Sequence, residues 1–86
     1  MNTNYFINIR QLYYFISVAE HLNFTKAAEE NHIAQTAMSQ NIIALEKQLD
    51  VRLFERTKRK VILTNAGKQF YTSIKPILEE LEHSIR

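Results

Sequence analysis

The chain has 86 residues, enough for one small domain. Apolar residues make up 45 % and charged residues 23 %, a globular balance, and a single Gly and a single Pro lean it towards helix. The absence of Cys excludes a disulfide framework, a Cys-ligated zinc site, an iron–sulfur cluster and a thiol nucleophile together.

The net charge of +2 is unevenly spread: residues 52–68 carry six basic side chains against one acid, Glu55, while the segments on either side are slightly acidic. Such a cluster points to an anionic partner, with a solvated turn as the plainer reading. The start lacks a basic region followed by a long apolar stretch, and the longest apolar run, Leu12 to Ile16, is far short of a membrane span. A soluble, cytoplasmic protein is the expectation.

Ile9, Leu12, Phe15, Ile16 and Ala19 recur at the helical period and predict a first helix over residues 9–21. Asn23 suits the N-cap of a second helix, Phe24 to Glu30, with Phe24, Ala27 and Ala28 inward; the paired alanines imply a close approach by another backbone. Asn31 and His32 read as a turn and Ile33 as a buried anchor. A third helix runs from Gln35 to Leu49, with Met38, Ile42, Leu45 and Leu49 inward. Its other face holds Thr36, Ser39, Gln40, Ile43 and Lys47. Short uncharged donors and acceptors beside one isoleucine suit the edges of DNA bases, and equally describe an exposed face.

Val51, Leu53 and Phe54 are expected to close the core. Two β-prone pieces within residues 55–64 flank a basic turn and predict a small hairpin, or wing. Thr64 then fits either the cap of a last helix or a phosphate contact. In that helix Phe70, Ile74, Ile77, Leu78, Leu81 and Ile85 form an apolar stripe, which continues through Pro76 and predicts a bend there rather than an end. The stripe suits pairing with a second copy, or packing back on the first helix.

Two helices joined by a short turn fit a helix-turn-helix. The strings Phe24-Thr25-Lys26-Ala27-Ala28-Glu29, Ile33-Ala34-Gln35-Thr36-Ala37-Met38-Ser39-Gln40, Leu45-Glu46, Leu53-Phe54-Glu55-Arg56-Thr57 and Leu63-Thr64-Asn65-Ala66-Gly67 resemble, in order, the N-terminal DNA-binding region of LysR-type transcriptional regulators of bacteria. The resemblance implies a mainly α winged helix-turn-helix over residues 1–64, of three helices plus a β-hairpin wing, and a linker and dimerisation helix over residues 65–86. It implies a homodimer through paired linker helices, with a tetramer open to the full-length protein. It also implies a C-terminal effector-binding domain beyond these residues, so that the chain reads as a fragment with no cofactor of its own. The chain departs from the family pattern at Ala34, where serine is usual, and at Thr36, where proline is. Asp50, Lys58 and Lys60 stand where glycines are common.

On this resemblance the third helix lies in the major groove of double-stranded DNA, with Gln35, Thr36, Ser39 and Gln40 on base edges and Ile43 making an apolar contact. Arg56, Thr57, Lys58 and Arg59 meet the backbone or minor groove, and Thr25 and Lys26 meet phosphate. A paired chain implies a pseudo-palindromic site. An enzyme finds little support: His21, His32 and His83 are scattered without a metal-binding spacing, and Gly67 alone cannot make a phosphate-binding glycine loop. A membrane-surface role is disfavoured, because the last helix carries Glu79, Glu80 and Glu82 on its polar side.

Overall fold

The computed structural model describes residues 7–85, in the order α1 (Ile9–His21), α2 (Phe24–Glu30), α3 (Gln35–Leu49), β1 (Phe54–Arg56), β2 (Val61–Leu63) and α4 (Asn65–Ser84). Each helix starts where a local side chain or extended residue permits it. Asn8 accepts the Gln11 backbone N–H at 2.9 Å while Gln11 reaches back to the Asn8 N–H, a reciprocal capping box. Asn23 accepts from the Lys26 N–H, and Thr64 from the Gly67 N–H, each at 2.9 Å. α3 starts from Ala34 with no side-chain cap.

The helix ends meet the shortage of glycine in an unusual way. Leu22, His32 and Asp50 all hold positive φ, at 50°, 59° and 56°. An L side chain there costs on the order of 1 kcal/mol, so packing around these turns must offset it. Asp50 thus ends α3 in the left-handed geometry that a glycine would adopt more easily.

The core lies where α1, α2 and α3 meet the hairpin. Phe15, Val18, Ala27, Met38, Ile42, Leu45, Leu53 and Phe54 are fully buried. Ala27 and Ala28 let α2 pack against both α1 and α3, as their pairing predicted. Leu49 and Ile33 are half-buried against this cluster. Ile9 and Val51 depart from expectation. Both are exposed, and Tyr14 and Val18 supply buried surface on α1 that the simple spacing did not count.

The hairpin is antiparallel with Phe54 opposite Leu63, Glu55 opposite Ile62 and Arg56 opposite Val61. Alternation therefore turns Phe54, Arg56, Val61 and Leu63 to the body and Glu55 and Ile62 to the outside. Glu46, buried on α3, joins the strand to the helix: its carboxylate accepts the Leu53 and Phe54 N–H groups at 2.8 and 3.2 Å. The wing turn needs no glycine. Thr57 Oγ1 accepts from the Arg59 and Lys60 N–H groups, and the Thr57 N–H donates to the Lys60 carbonyl at 2.9 Å.

α4 runs about 30 Å, through Pro76 without ending. No helix among the described residues is long and apolar enough to cross a membrane.

Candidate nucleic-acid interface

Six expected contact residues, Gln35, Ser39, Arg56, Thr57, Lys58 and Arg59, line one concave surface. Gln35 and Ser39, one turn apart on α3, face Thr57, Lys58, Arg59 and Lys60 of the wing across a cleft of about 340 Å³. The wing residues are exposed, so their charge is free to act on what enters. Thr36 and Gln40 are exposed on the same helix outside that cleft. Ile43, also exposed, lines the next hollow along α3 with Lys47, Val51 and Arg52. The polar face of α3 is therefore open, and the basic turn stands beside it.

Other expected residues are placed differently. Thr25 donates its hydroxyl to Gln35 Oε1 at 3.1 Å, which holds the side chain of α3's first residue from α2. Asn23 accepts the Lys26 N–H, which takes one of the backbone donors at the start of α2. Thr64 is a structural cap: its hydroxyl donates to the Arg52 carbonyl at 2.6 Å while accepting from Gly67. Arg56 is turned inward, its guanidinium 4.3 Å from the centre of the Phe24 ring. Period-two alternation from the buried Phe54 was the available signal for that orientation.

The apolar stripe of α4 divides between two sides. Phe70 packs edge-on against Phe15, with ring centres 5.1 Å apart, and Leu78 is only 4 % exposed, so both are used within the chain. This corrects the expectation that all six stripe residues face a partner. Ile74 is half-buried, while Ile77, Leu81 and Ile85 remain open at 60, 37 and 76 %. Polar contacts tie the inner side to α1. Tyr71 donates to Glu20 at 2.7 Å, Lys75 pairs with the same carboxylate, and Tyr13 donates to Glu82 at 2.9 Å. The Lys75 and Tyr71 contacts hold the Glu20 carboxyl below its ordinary range, and bonding to carboxylates raises both tyrosines. A hydrophobic stripe reports burial but not which neighbour provides it.

Among the described residues no group of three His, Asp or Glu side chains is placed to hold a metal ion. The chain is 47 % identical over 76 residues to the uncharacterized HTH-type transcriptional regulator YnfL of Escherichia coli (strain K12), covering 88 % of this chain and 26 % of that protein. It is 44 % identical over 78 residues to the nitrogen assimilation regulatory protein nac of Klebsiella aerogenes, covering 91 % and 26 %. It thus spans about a quarter of the length of these regulators.

Among solved structures, the CbnR_DBD–DNA complex superposes with a TM-score of 0.86 at 41 % identity, covering 91 % of this chain and 90 % of that one. Oxidized OxyR of Corynebacterium glutamicum does so with a TM-score of 0.91 at 38 % identity, covering 98 % and 26 %. Residues 9–68 match the family described as bacterial regulatory helix-turn-helix protein, lysR family, and the chain belongs to that family, with the fold of its winged helix-turn-helix DNA-binding domain.

Proposed function

We propose that this chain binds double-stranded DNA at specific sites as a homodimer and serves a transcriptional regulator of the LysR type. The observation that carries the reading is the shared cleft of Gln35 and Ser39 with Thr57, Lys58, Arg59 and Lys60. Uncharged side chains that can read base edges and cations that can hold phosphates lie on one concave surface. Similarity to CbnR_DBD, solved as a complex with DNA, supports it.

In this reading α3 enters the major groove, with Gln35, Thr36, Ser39 and Gln40 on base edges and Ile43 against a thymine methyl. Thr57, Lys58 and Arg59 lie on the backbone or in the adjacent minor groove, and Thr25 and Lys26 border phosphate. Residues 1–64 form the DNA-binding unit, and residues 65–86 the linker through which two copies pair. Ile77, Leu81 and Ile85 supply the exposed contact. The two-fold pair calls for a pseudo-palindromic site. The longer relatives leave room for an effector-binding domain, and the full-length protein would act in the cytoplasm, by binding rather than catalysis.

Selection from a random duplex pool, followed by titration of the winner over a salt series, tests this. With about eight phosphate contacts per dimer, log K falls against log salt with a slope near −7. A flat salt dependence, or no enrichment of any sequence, overturns the reading. Sedimentation of the chain alone tests pairing: Ile77→Asp with Leu81→Asp shifts a dimer to monomer.

A further inference from the structure

One basic side chain of the wing is turned against the body of the domain. Arg56 shares the inward face of β1 with Phe54, its guanidinium lies over the Phe24 ring, and its Nη2 is buried with no hydrogen-bond partner among the described residues. Part of Arg56 borders the hollows beside α3, but the buried Nη2 edge that faces Phe24 is closed to a phosphate at the surface. The guanidinium is well placed to stack, because a flat, weakly hydrated cation over an aromatic face gains electrostatic and dispersion attraction together.

Phe24 in turn leans on Phe54 (5.9 Å between ring centres), Phe54 on Phe15 (5.5 Å) and Phe15 on Phe70 (5.1 Å). A continuous aromatic column thus runs from beneath the wing to α4. The wing turn itself rests on the short β1–β2 ladder and the Thr57 hydrogen bonds.

We propose that Arg56 is a positioning residue: stacked on Phe24, it pins the wing to the aromatic column and so fixes where Lys58 and Arg59 meet DNA, without gripping the DNA itself. The proposal rests on the DNA-binding reading for its consequence, and on the Arg56–Phe24 stack alone for its structural content.

The test uses the 86-residue chain with Arg56→Lys, Arg56→Ala and Phe24→Leu, each checked for unchanged helicity. Two readouts are taken: backbone amide exchange of residues 57–60 without DNA, and anisotropy titration of a labelled random-sequence duplex over a salt series. Lysine keeps the charge but not the flat stacking face. Pinning predicts that Arg56→Lys speeds wing exchange as much as Arg56→Ala does, and that both weaken duplex binding by about tenfold. Phe24→Leu does the same, and adding it to Arg56→Lys costs little more, because both remove one contact.

Unchanged wing exchange in Arg56→Lys overturns the proposal, as does binding that Arg56→Lys preserves and Arg56→Ala loses. Should Phe24→Leu fail to fold, the two Arg56 variants decide alone. If the parent chain binds no duplex, the DNA-binding reading fails, while the exchange data still judge the pin.

Discussion

Gly67 lies so close to the Leu53 carbonyl oxygen that a Cβ on residue 67 would overlap it. That oxygen also accepts the Thr64 N–H at 3.0 Å, so it cannot retreat without breaking the junction between the hairpin and α4. Two effects of Gly67→Ala compete. Alanine inside a helix gains about 1 kcal/mol over glycine. Overpacking against rigid backbone costs about 3 kcal/mol, because no rotamer can relieve it. The clash wins, and urea denaturation should show a net loss of about 2 kcal/mol. A stabilised variant would mean that α4 can slide off the Leu53 carbonyl.

Glu46 connects α3 to the wing. Its buried carboxylate accepts two backbone N–H groups at the start of β1, and Glu46→Ala leaves both without that acceptor. The expected loss is about 2–3 kcal/mol, because hydrogen bonds to a charged group are strong and their removal strands buried donors. Glu46→Gln keeps one carbonyl oxygen and should recover about half of that. Chemical denaturation of the two variants side by side checks the order: wild type, Gln, Ala.

Apolar spacing in the sequence located all four helices, because one buried face per helix is a one-dimensional signal. It also put Gln35 and Ser39 on the polar face of α3 and the basic residues in a hairpin turn, although only the fold brings the two to one cleft. What it missed depends on partners distant in sequence. Leu78 looks the same whether α1 or a second chain covers it. Glu46 reads as one more acid on a polar helix until Leu53 and Phe54 turn back over it. The Asn8–Gln11 capping box was legible, but apolar spacing alone does not weigh polar pairs. Arg56 was assigned by its charge, although its register two residues from Phe54 already turned it inward.

Stability should fall in acid through two carboxylates. Lys75, then Tyr71, hold Glu20 below its usual 4.5, and the Ser17 hydroxyl, then His21, hold Glu30 below the same value. A folded pKa below the unfolded one adds stability above about pH 4.5, and that stability is lost as pH falls through the folded value. Both carboxylates are largely exposed, so each contributes less than about 1 kcal/mol after solvent screening. Glu20→Gln should therefore lower the urea midpoint slightly at pH 7 and by less as pH falls through the folded value of Glu20. A gap of equal size at every pH would show that packing, not charge, sets the effect. At the alkaline end, raised Lys75 and Tyr71 favour the fold below about pH 10 and lose that contribution as pH climbs through their folded values.

The bare start of α3 offers a gain. Ala34 holds the extended geometry of an N-cap, φ −70° and ψ 149°, but supplies no acceptor to the first turn. Ala34→Ser places an oxygen there at no backbone cost and should stabilise the chain by about 1 kcal/mol. Thermal unfolding measures it as a rise of several degrees, about 4–8 °C per kcal/mol in a domain of this size. No rise would indicate that the exposed N–H groups are already well satisfied by water.

The Thr25–Gln35 hydrogen bond should make sequence choice depend on a residue that need not touch a base. Thr25 donates to Gln35 Oε1, which leaves the amide NH₂ end of Gln35 free of that tie on a residue that lines the cleft. Replacing Gln35 or Ser39 by Ala should weaken the selected site by roughly 1–3 kcal/mol per half-site and leave random-duplex binding nearly intact. Thr25→Ala should take away part of the same discrimination, because the Gln35 amide is then free to rotate and present either end. Added to Gln35→Ala, the Thr25 change should cost less than it does alone, and that non-additivity separates an orienting role from an independent phosphate contact. Titrations of the selected and random duplexes with the two single variants and the double variant supply the cycle. Full additivity, with equal losses on both duplexes, would place Thr25 on the backbone instead.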